Sequence, residues 1–243
     1  MKTMVFVLFV LALAGSAYAS DPGVHQASSQ YETAGTPSEI PDHGRDFFYC
    51  QLPTASYYTM NASTGFASEL ADDIPDEFYC RWISAIIIYV GEWGAPWIDP
   101  AGIFVNFYSG ECPPPLLPAF TRYVTWAEVD KVIVQQGTNS YDYEVTIWLC
   151  PPVHIEVDMS IGFVVDNTWG QNPPYCGVDY TNDYDVHGCG EMYIDHAYWG
   201  FPRWSLASAS HGTPVDLAYC LGENMGPSAA DQSTWSAIKS LYR

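Results

Sequence analysis

The sequence predicts an all-β protein: an antiparallel β-sandwich of jelly-roll type that ends in one short C-terminal helix. Three observations support this prediction. Short runs rich in β-branched and aromatic residues recur along the chain, turn-forming residues separate them, and helical periodicity is confined to the C-terminus. The first two runs, residues 82–90 and 103–108, are the most apolar, and two such strands need a second layer to cover them.

Residues 1–20 have the features of a secretory signal peptide. Lys2 supplies a positive end, residues 5–14 form an apolar core too short to span a bilayer, and Ala17-Tyr18-Ala19 is a small-x-small cleavage site. Cleavage is expected after Ala19. We therefore expect a secreted protein, extracellular or at the cell surface, with no membrane insertion once the signal is removed.

The rest of the chain is predicted to contain one domain and two flanking segments. An irregular N-terminal arm covers 21–68, the β-sandwich domain covers 69–222, and a tail with a short helix covers 223–243. Residues 169–190, dense in Gly, Pro, Asn, Asp and Tyr, are expected to be the longest irregular insertion. Further strands are expected over 120–126, 129–135, 141–148, 153–166, 192–199 and 215–221. The tail helix is predicted from apolar residues on one face after an Asp231 cap, namely Trp235, Ile238, Leu241 and Tyr242.

The charge balance excludes polyanionic partners. The chain carries 8 basic and 28 acidic residues, and removal of Lys2 with the signal leaves 7 basic against 28 acidic, a net charge of -21. Such a chain repels nucleic acid and anionic membranes, so neutral ligands or cations are the expected partners. The alternative is that the acidity only keeps an extracellular protein soluble.

Seven cysteines remain after signal cleavage, and outside the cytosol they are expected to pair and leave one over. No C-x-x-C motif or zinc-type Cys/His spacing occurs. We predict a Cys176–Cys189 bridge across one Gly-rich loop and a Cys80–Cys220 bridge between the first and last strands. A third pair, Cys112 with Cys150, would leave Cys50 as the odd thiol, although connectivity is not fixed by sequence.

Several short motifs together resemble the jelly-roll-like β-sandwich modules of bacterial secreted and cell-surface proteins. They are Ala71-Asp72-Asp73 before the first strand, the Trp-Gly pattern at Trp93, Phe107-Tyr108-Ser109 before Cys112-Pro113, and Asp216-Leu217-Ala218 in the last strand. The resemblance covers about residues 69–221 and implies a binding or accessory module. It implies no catalytic residues. Ile74 stands where phenylalanine is more usual after the paired Asp.

Catalytic patterns are weak, and we predict that the protein is not an enzyme. Glu156 and Asp158 share a strand face in a manner similar to retaining glycosidases of the laminarinase type, but the expected third carboxylate is replaced by Ser160 and Ile161. The alternative for this pair is an ordinary solvent-exposed face of a strand, without catalytic function. No Gly-x-Ser-x-Gly elbow of a serine hydrolase occurs.

Two acidic clusters are candidates for calcium, the one cofactor that the sequence suggests. Asp179, Asn182, Asp183 and Asp185 lie in the predicted insertion, and hard oxygen ligands on a Gly-containing loop suit Ca²⁺. A second cluster comprises Asp72, Asp73, Asp76 and Glu77. Neither matches an EF-hand loop, and solvated acidic loops without metal remain the alternative.

Aromatic residues make up 16% of the chain, and many fall in predicted connections. Rings in loops can stack on sugar faces while neighbouring polar groups bind hydroxyls. The candidate ligand-binding residues are Trp93, Trp97, Trp169, Tyr175, Tyr180 and Trp199. Alternatively, these rings form small cores at the ends of the sandwich.

The sequence thus leads us to expect a secreted, non-catalytic β-sandwich that binds a glycan or a surface protein, or that serves as a structural module. A glycan-hydrolysing enzyme and a purely structural envelope protein are the alternatives. Fold alone does not decide between them.

Overall fold

Two antiparallel sheets enclose one apolar core in this computed structural model. Among the described residues, one sheet has nine strands and the other six. The structure describes residues 24–26, 47–53, 58–94, 98–110, 112–137, 140–167, 169–170, 172, 174–181 and 190–223. The predicted all-β sandwich is confirmed. The signal peptide and the C-terminal helix lie outside the described residues.

The nine-stranded sheet is built around its long strands. Its members are β1 (Val24–Gln26), β2 (Phe47–Gln51), β3 (Tyr58–Asn61), β5 (Trp82–Trp93), β8 (Asp130–Gln136), β9 (Ser140–His154), β11 (Tyr175–Thr181), β14 (Asp216–Leu217) and β15 (Tyr219–Gly222). Strand β5 pairs with β9 along its whole length and with β11 and β15 on its other side. The most apolar stretch of the sequence therefore occupies the middle of this sheet.

The six-stranded sheet has the spatial order β13-β12-β4-β10-β6-β7. Its strands are β4 (Glu69–Asp73), β6 (Gly102–Ser109), β7 (Phe120–Thr125), β10 (Met159–Asp166), β12 (Tyr193–His196) and β13 (Phe201–Leu206). One four-residue helix, α1 (Ser208–His211), follows β13, and 3-10 turns cover Thr64–Phe66, Asp76–Phe78 and Ala197–Trp199. None of the helices in the described part of the chain has the length and apolar character needed to span a bilayer.

Strand alternation decides which side chains form the core. On β6, Ile103, Val105 and Phe107 are buried among the apolar side chains of the facing sheet. Successive side chains of a strand point to opposite faces, so Phe104 and Asn106 point away from the core. The outer face of the six-stranded sheet therefore carries the polar half of each strand.

Three predicted segment assignments differ from the structure. The arm predicted as irregular over 21–68 contributes β1, β2 and β3, and the insertion predicted over 169–190 contains β11. Strand β9 was predicted to end before Pro151 but runs through it to His154, because the ladder to β5 is irregular at this point and tolerates residues without an N–H donor.

The predicted disulfide pairings are wrong. Cys220 is bonded to Cys50, its partner across the β15–β2 ladder, whereas Cys80, Cys150 and Cys176 are free. Cys112 is also disulfide-bonded. The error arose because Phe47–Gln51 was assigned to the arm, which left Cys50 without a neighbouring strand.

Candidate functional site

A row of polar side chains crosses the outer face of the six-stranded sheet. Each of the six strands contributes one position to it, and we call this set the polar row. In spatial order from β13 to β7, its members are Arg203, Asp195, Glu69, Gly162, Asn106 and Thr121. Strands lie about 4.8 Å apart, so a row across six strands is on the order of 24 Å long.

Glu69 is the hub of the polar row. Its Oε1 accepts hydrogen bonds from Asn106 Nδ2 at 2.8 Å and from the Tyr108 hydroxyl at 2.7 Å. Its Oε2 lies 3.6 Å from Arg203 Nη2. The carboxyl group is thus bonded by three side chains from two other strands, β6 and β13, which fixes its position without help from a ligand.

The two ends of the polar row are held in the same way. Arg203 Nε lies 3.3 Å from Asp195 Oδ2, and Arg203 Nη2 donates to the Tyr108 hydroxyl oxygen at 3.3 Å. At the other end, Thr121 Oγ1 donates to Asn106 Oδ1 at 2.6 Å. Hydrogen bonds therefore link the side chains of the row from one edge strand to the other.

Gly162 is the one position of the row without a side chain. A methyl group there would collide with Glu69 Oε1 and would lie 3.2 Å from Tyr108 Cε2. Glycine is required because Glu69 reaches over β10 to bond the side chains of β6. The close approach explains why this strand, otherwise rich in Ile, Phe and Val, has a glycine at its centre.

Burial sets the electrostatics of the row. Outward positions of an antiparallel sheet are usually wet, yet Glu69 is only 7% exposed and Tyr108 is fully buried. Burial raises the pKa of Glu69, against the opposing effect of its hydrogen bonds and of Arg203. Burial also raises the pKa of Asp195, and Arg203 again opposes the shift.

Trp204 covers part of the row next to Arg203. Its ring packs edge-on against Tyr108, with centroids 5.6 Å apart, and its Nε1 donates to the Pro115 carbonyl at 3.2 Å. The Arg203 guanidinium lies 4.9 Å from the centre of the Trp204 ring. Trp204 therefore connects the Pro-rich segment between β6 and β7 to this end of the polar row.

An accessible pair of rings lies on the same face, on β6 and β7. Phe104 and Tyr123 are in contact with centroids 4.6 Å apart, each two residues from a member of the polar row. The Tyr123 side chain is 44% exposed, and its hydroxyl donates to Asp166 Oδ2 at 2.9 Å. Fixed polar groups beside an exposed ring form a surface that can both stack on a ligand and bond its hydroxyls.

The five aromatic residues that were predicted to bind a ligand and that the structure describes do not form an open platform. Trp93 is 8% exposed, Tyr180 is fully buried, and Trp97 lies outside the described residues. Tyr175 and Trp199 both pack around Phe66, at 5.9 Å each. Trp169 is partly buried against the core, with its Nε1 bonded to the Pro174 carbonyl. This packing favours the small-core alternative.

The acidic clusters separate into buried and exposed parts. Asp179 is buried in β11, whereas Asn182, Asp183 and Asp185 lie outside the described residues, so calcium at this cluster stays a prediction. In the other cluster, Asp72 and Asp73 are buried and Asp76 and Glu77 are exposed. Within the described ranges, no group of three or more His, Cys, Asp or Glu residues could hold a metal ion.

Asp72 points into the core, opposite to Glu69. Its oxygens accept hydrogen bonds from the N–H groups of Leu217 at 3.2 Å and Asp73 at 3.0 Å. Burial raises its pKa well above the usual range, and Asp216 and Asp73 add to the shift. Asp72 is thus an interior group that bonds β4 to β14 across the sandwich.

Glu156 and Asp158 lie in the exposed bend between β9 and β10, not on a strand face as predicted. Asp158 has φ +56°, which ends the alternation on which the glycosidase comparison depended. The predicted continuous strand over 153–166 is therefore wrong.

Sequence reasoning missed the members of the polar row. A signal was present: Asn106 and Tyr108 interrupt an apolar strand at alternate positions, and Arg203 is one of only 8 basic residues in the chain. What the sequence lacked was the spatial order of the strands, which brings β4, β6 and β13 onto one face.

Comparison with known proteins identifies no family for this chain. No protein-family model matches it, and no curated protein sequence matches it. Among solved structures, it is similar to the cysteine protease and lectin-like domains of Cwp84, a surface layer associated protein of Clostridium difficile. The identity is 14% and the TM-score 0.41, and the match covers 76% of this chain and 37% of that chain.

Proposed function

We propose that this protein is a secreted, non-catalytic binding module that holds a neutral polysaccharide across the outer face of its six-stranded sheet. The polar row carries the proposal, because its more accessible members, Arg203, Asp195 and Thr121, offer guanidinium, carboxylate and hydroxyl groups along the sheet, while the buried Glu69 and Asn106 hold them in place. These are the groups that bond sugar hydroxyls, and a row on the order of 24 Å accommodates several linked sugar units.

Two further features support this ligand class. The exposed ring of Tyr123, packed on Phe104, supplies an apolar face beside the row. The net charge of -20 disfavours anionic ligands.

The Cys50–Cys220 disulfide supports an oxidising, extracellular location.

The first test compares ring loss with hydroxyl loss at Tyr123. We expect Tyr123→Ala to weaken binding about 5-fold, since a stacked ring contributes about 1 kcal/mol. Tyr123→Phe keeps the ring and should retain affinity within about 2-fold. Binding is measured by affinity electrophoresis and calorimetry against soluble β-glucans, xylan and mannan.

A matched control uses a ring elsewhere on the surface. Tyr198 is more than half exposed but packs against Phe66, which is not part of the polar row, so Tyr198→Ala should leave binding unchanged. The proposal fails if no polysaccharide binds, or if Tyr123→Ala and Thr121→Val both bind as the unmodified protein does while their melting temperatures are unaltered. A structural role would then be favoured.

Glycan hydrolysis is the second candidate, and one observation favours it. Glu69 has a raised pKa and shares Arg203 with a second carboxyl group, that of Asp195. Glycosidases use a protonated carboxyl and a second carboxylate. Release of reducing ends by the purified protein, abolished in Glu69→Gln while polysaccharide is still bound, would establish hydrolysis instead of binding alone.

A further inference from the structure

An apolar surface patch lies at the start of β5, in the nine-stranded sheet, whereas the polar row crosses the six-stranded sheet. Three of its side chains are about half exposed: Tyr79 at 53%, Trp82 at 50% and Val157 at 53%. The Trp82 ring contacts the His154 ring on β9, with centroids 4.9 Å apart. We call Tyr79, Trp82, His154 and Val157 the Trp82 patch.

The backbone brings these residues together. Cys80 N donates to the Ile155 carbonyl at 3.1 Å, and Ile155 N donates to the Arg81 carbonyl at 2.9 Å. The β5–β9 ladder therefore continues beyond its last paired residues. This extension places the segment 79–82 alongside the segment 154–157.

The described part of the chain ends beside the same patch. The Arg81 guanidinium lies 3.5 Å from the carboxylate of Glu223, and Ser84 Oγ donates to the Gly222 carbonyl at 3.4 Å. Arg81 and Ser84 flank Trp82 in sequence. Residues 224–243 thus begin next to the Trp82 patch.

The sequence that follows has an apolar helical face. Its apolar residues recur at a spacing of three to four, which predicts one face of a helix, and they are Trp235, Ile238, Leu241 and Tyr242. A linker of about 12 residues from Glu223 to Trp235 can extend to about 40 Å, which is ample reach for an adjacent surface.

The charges of the two surfaces are complementary. The exposed acidic residues around the Trp82 patch are Asp76, Glu77, Glu156 and Asp158. Residues 224–243 carry Lys239 and Arg243 against one acid, Asp231, in a chain whose net charge is -20. Basic groups at the C-terminal end of the predicted helix would therefore face an acidic rim.

We propose that residues 228–243 dock as an amphipathic helix on the Trp82 patch of the same molecule. The apolar face of the helix covers Trp82 and its neighbours, and Lys239 and Arg243 lie toward the acidic rim. This proposal is independent of the function proposed for the polar row.

Cys80 provides a native reporter, because it is a free, exposed thiol within the segment 79–82. In the full chain we expect its alkylation by iodoacetamide to be slow and to rise at least 10-fold in the double variant Trp235→Ser/Ile238→Ser. Ser236→Ala, on the other face of the predicted helix, is the matched control and should alkylate as the unmodified chain does. Equal Cys80 rates in the unmodified and double-variant chains would overturn the proposal.

The second experiment substitutes Trp82 in the patch and measures how fast a protease cuts the tail. We expect limited trypsin digestion to cut after Lys239 several-fold faster in Trp82→Ala than in the unmodified chain. Tyr198→Ala, which removes an equally exposed ring elsewhere, should change nothing. If Trp82→Ala instead dissociates a dimer in light scattering while Lys239 is cut at an unchanged rate, the patch binds a second copy and the proposal is wrong.

Discussion

Glu69 and Asp72 lie three residues apart on β4 and serve opposite faces of one sheet. Glu69 points outward and joins the polar row, whereas Asp72 points inward and bonds the backbone of Leu217. Burial raises the pKa of both carboxyl groups. From the sequence, only Asp72 was assigned to an acidic cluster and Glu69 was given no role, because strand alternation separates the two faces only when the first residue of the strand is known.

Glu92, at the end of β5, is a buried carboxyl group that should make the stability of the protein depend on pH. Burial raises its pKa to about 8, Asp99 adds to the shift, and the bond from the Ile98 N–H opposes it. Because the folded-state pKa of Glu92 lies above the unfolded value, the stability that protonated Glu92 contributes is complete below about pH 4.5. It is lost as the pH rises through about 8.

Glu92→Gln removes that titration and keeps an acceptor for Ile98. We expect the variant to gain stability relative to the unmodified protein between pH 5 and 8, by on the order of 1 to 2 kcal/mol. Urea unfolding at both pH values measures this. A difference that stays constant over the range would contradict the assigned pKa.

Strand β11 shows why the prediction of an irregular insertion over residues 169–190 was wrong. Tyr175, Val178 and Thr181 have strand propensity, but Gly177 and Asp179 between them are typical of loops. In the structure, β11 lies between β3 and β5, and a side chain at Gly177 would collide with the Met60 carbonyl. Tertiary contact with a neighbouring strand requires glycine there, which no local pattern reveals.

Gly177 and Gly162 differ in which atoms an added methyl group would contact. Gly177→Ala meets the backbone of β3 and should lower the free energy of unfolding by about 3 kcal/mol, at the upper end for overpacking. Gly162→Ala meets the end of the Glu69 side chain and should cost about 1 kcal/mol while weakening polysaccharide binding. Chemical denaturation and calorimetry measure both, and equal destabilisation would count against this ranking.

For the whole molecule, the two-sheet architecture followed from the sequence because it depends on strand count and apolar alternation. The disulfide and the polar row did not follow, because both depend on strand order. Cys50 and Cys220 are neighbours only because β2 pairs with β15. Likewise, Arg203 meets Glu69 only because β12 and β13 continue the sheet beyond β4.

The Cys50–Cys220 bond closes a loop with a sequence separation of 170 residues. A loop of this length should stabilise the fold by about 5 kcal/mol on chain-entropy grounds. We expect Cys50→Ala/Cys220→Ala to lose about 2 to 5 kcal/mol in urea unfolding. A double variant as stable as the oxidised protein would show that the loop closure contributes nothing.

The same bond has a mechanical consequence. Phe47 lies opposite Gly222 in the β2–β15 ladder, so the outer ends of these two strands lie side by side. A pulling force applied between Phe47 and Gly222 passes through the sulfur atoms, and the enclosed segment, about 600 Å when extended, carries none of it. A load-bearing tether could therefore run through this domain while the polar row kept its shape.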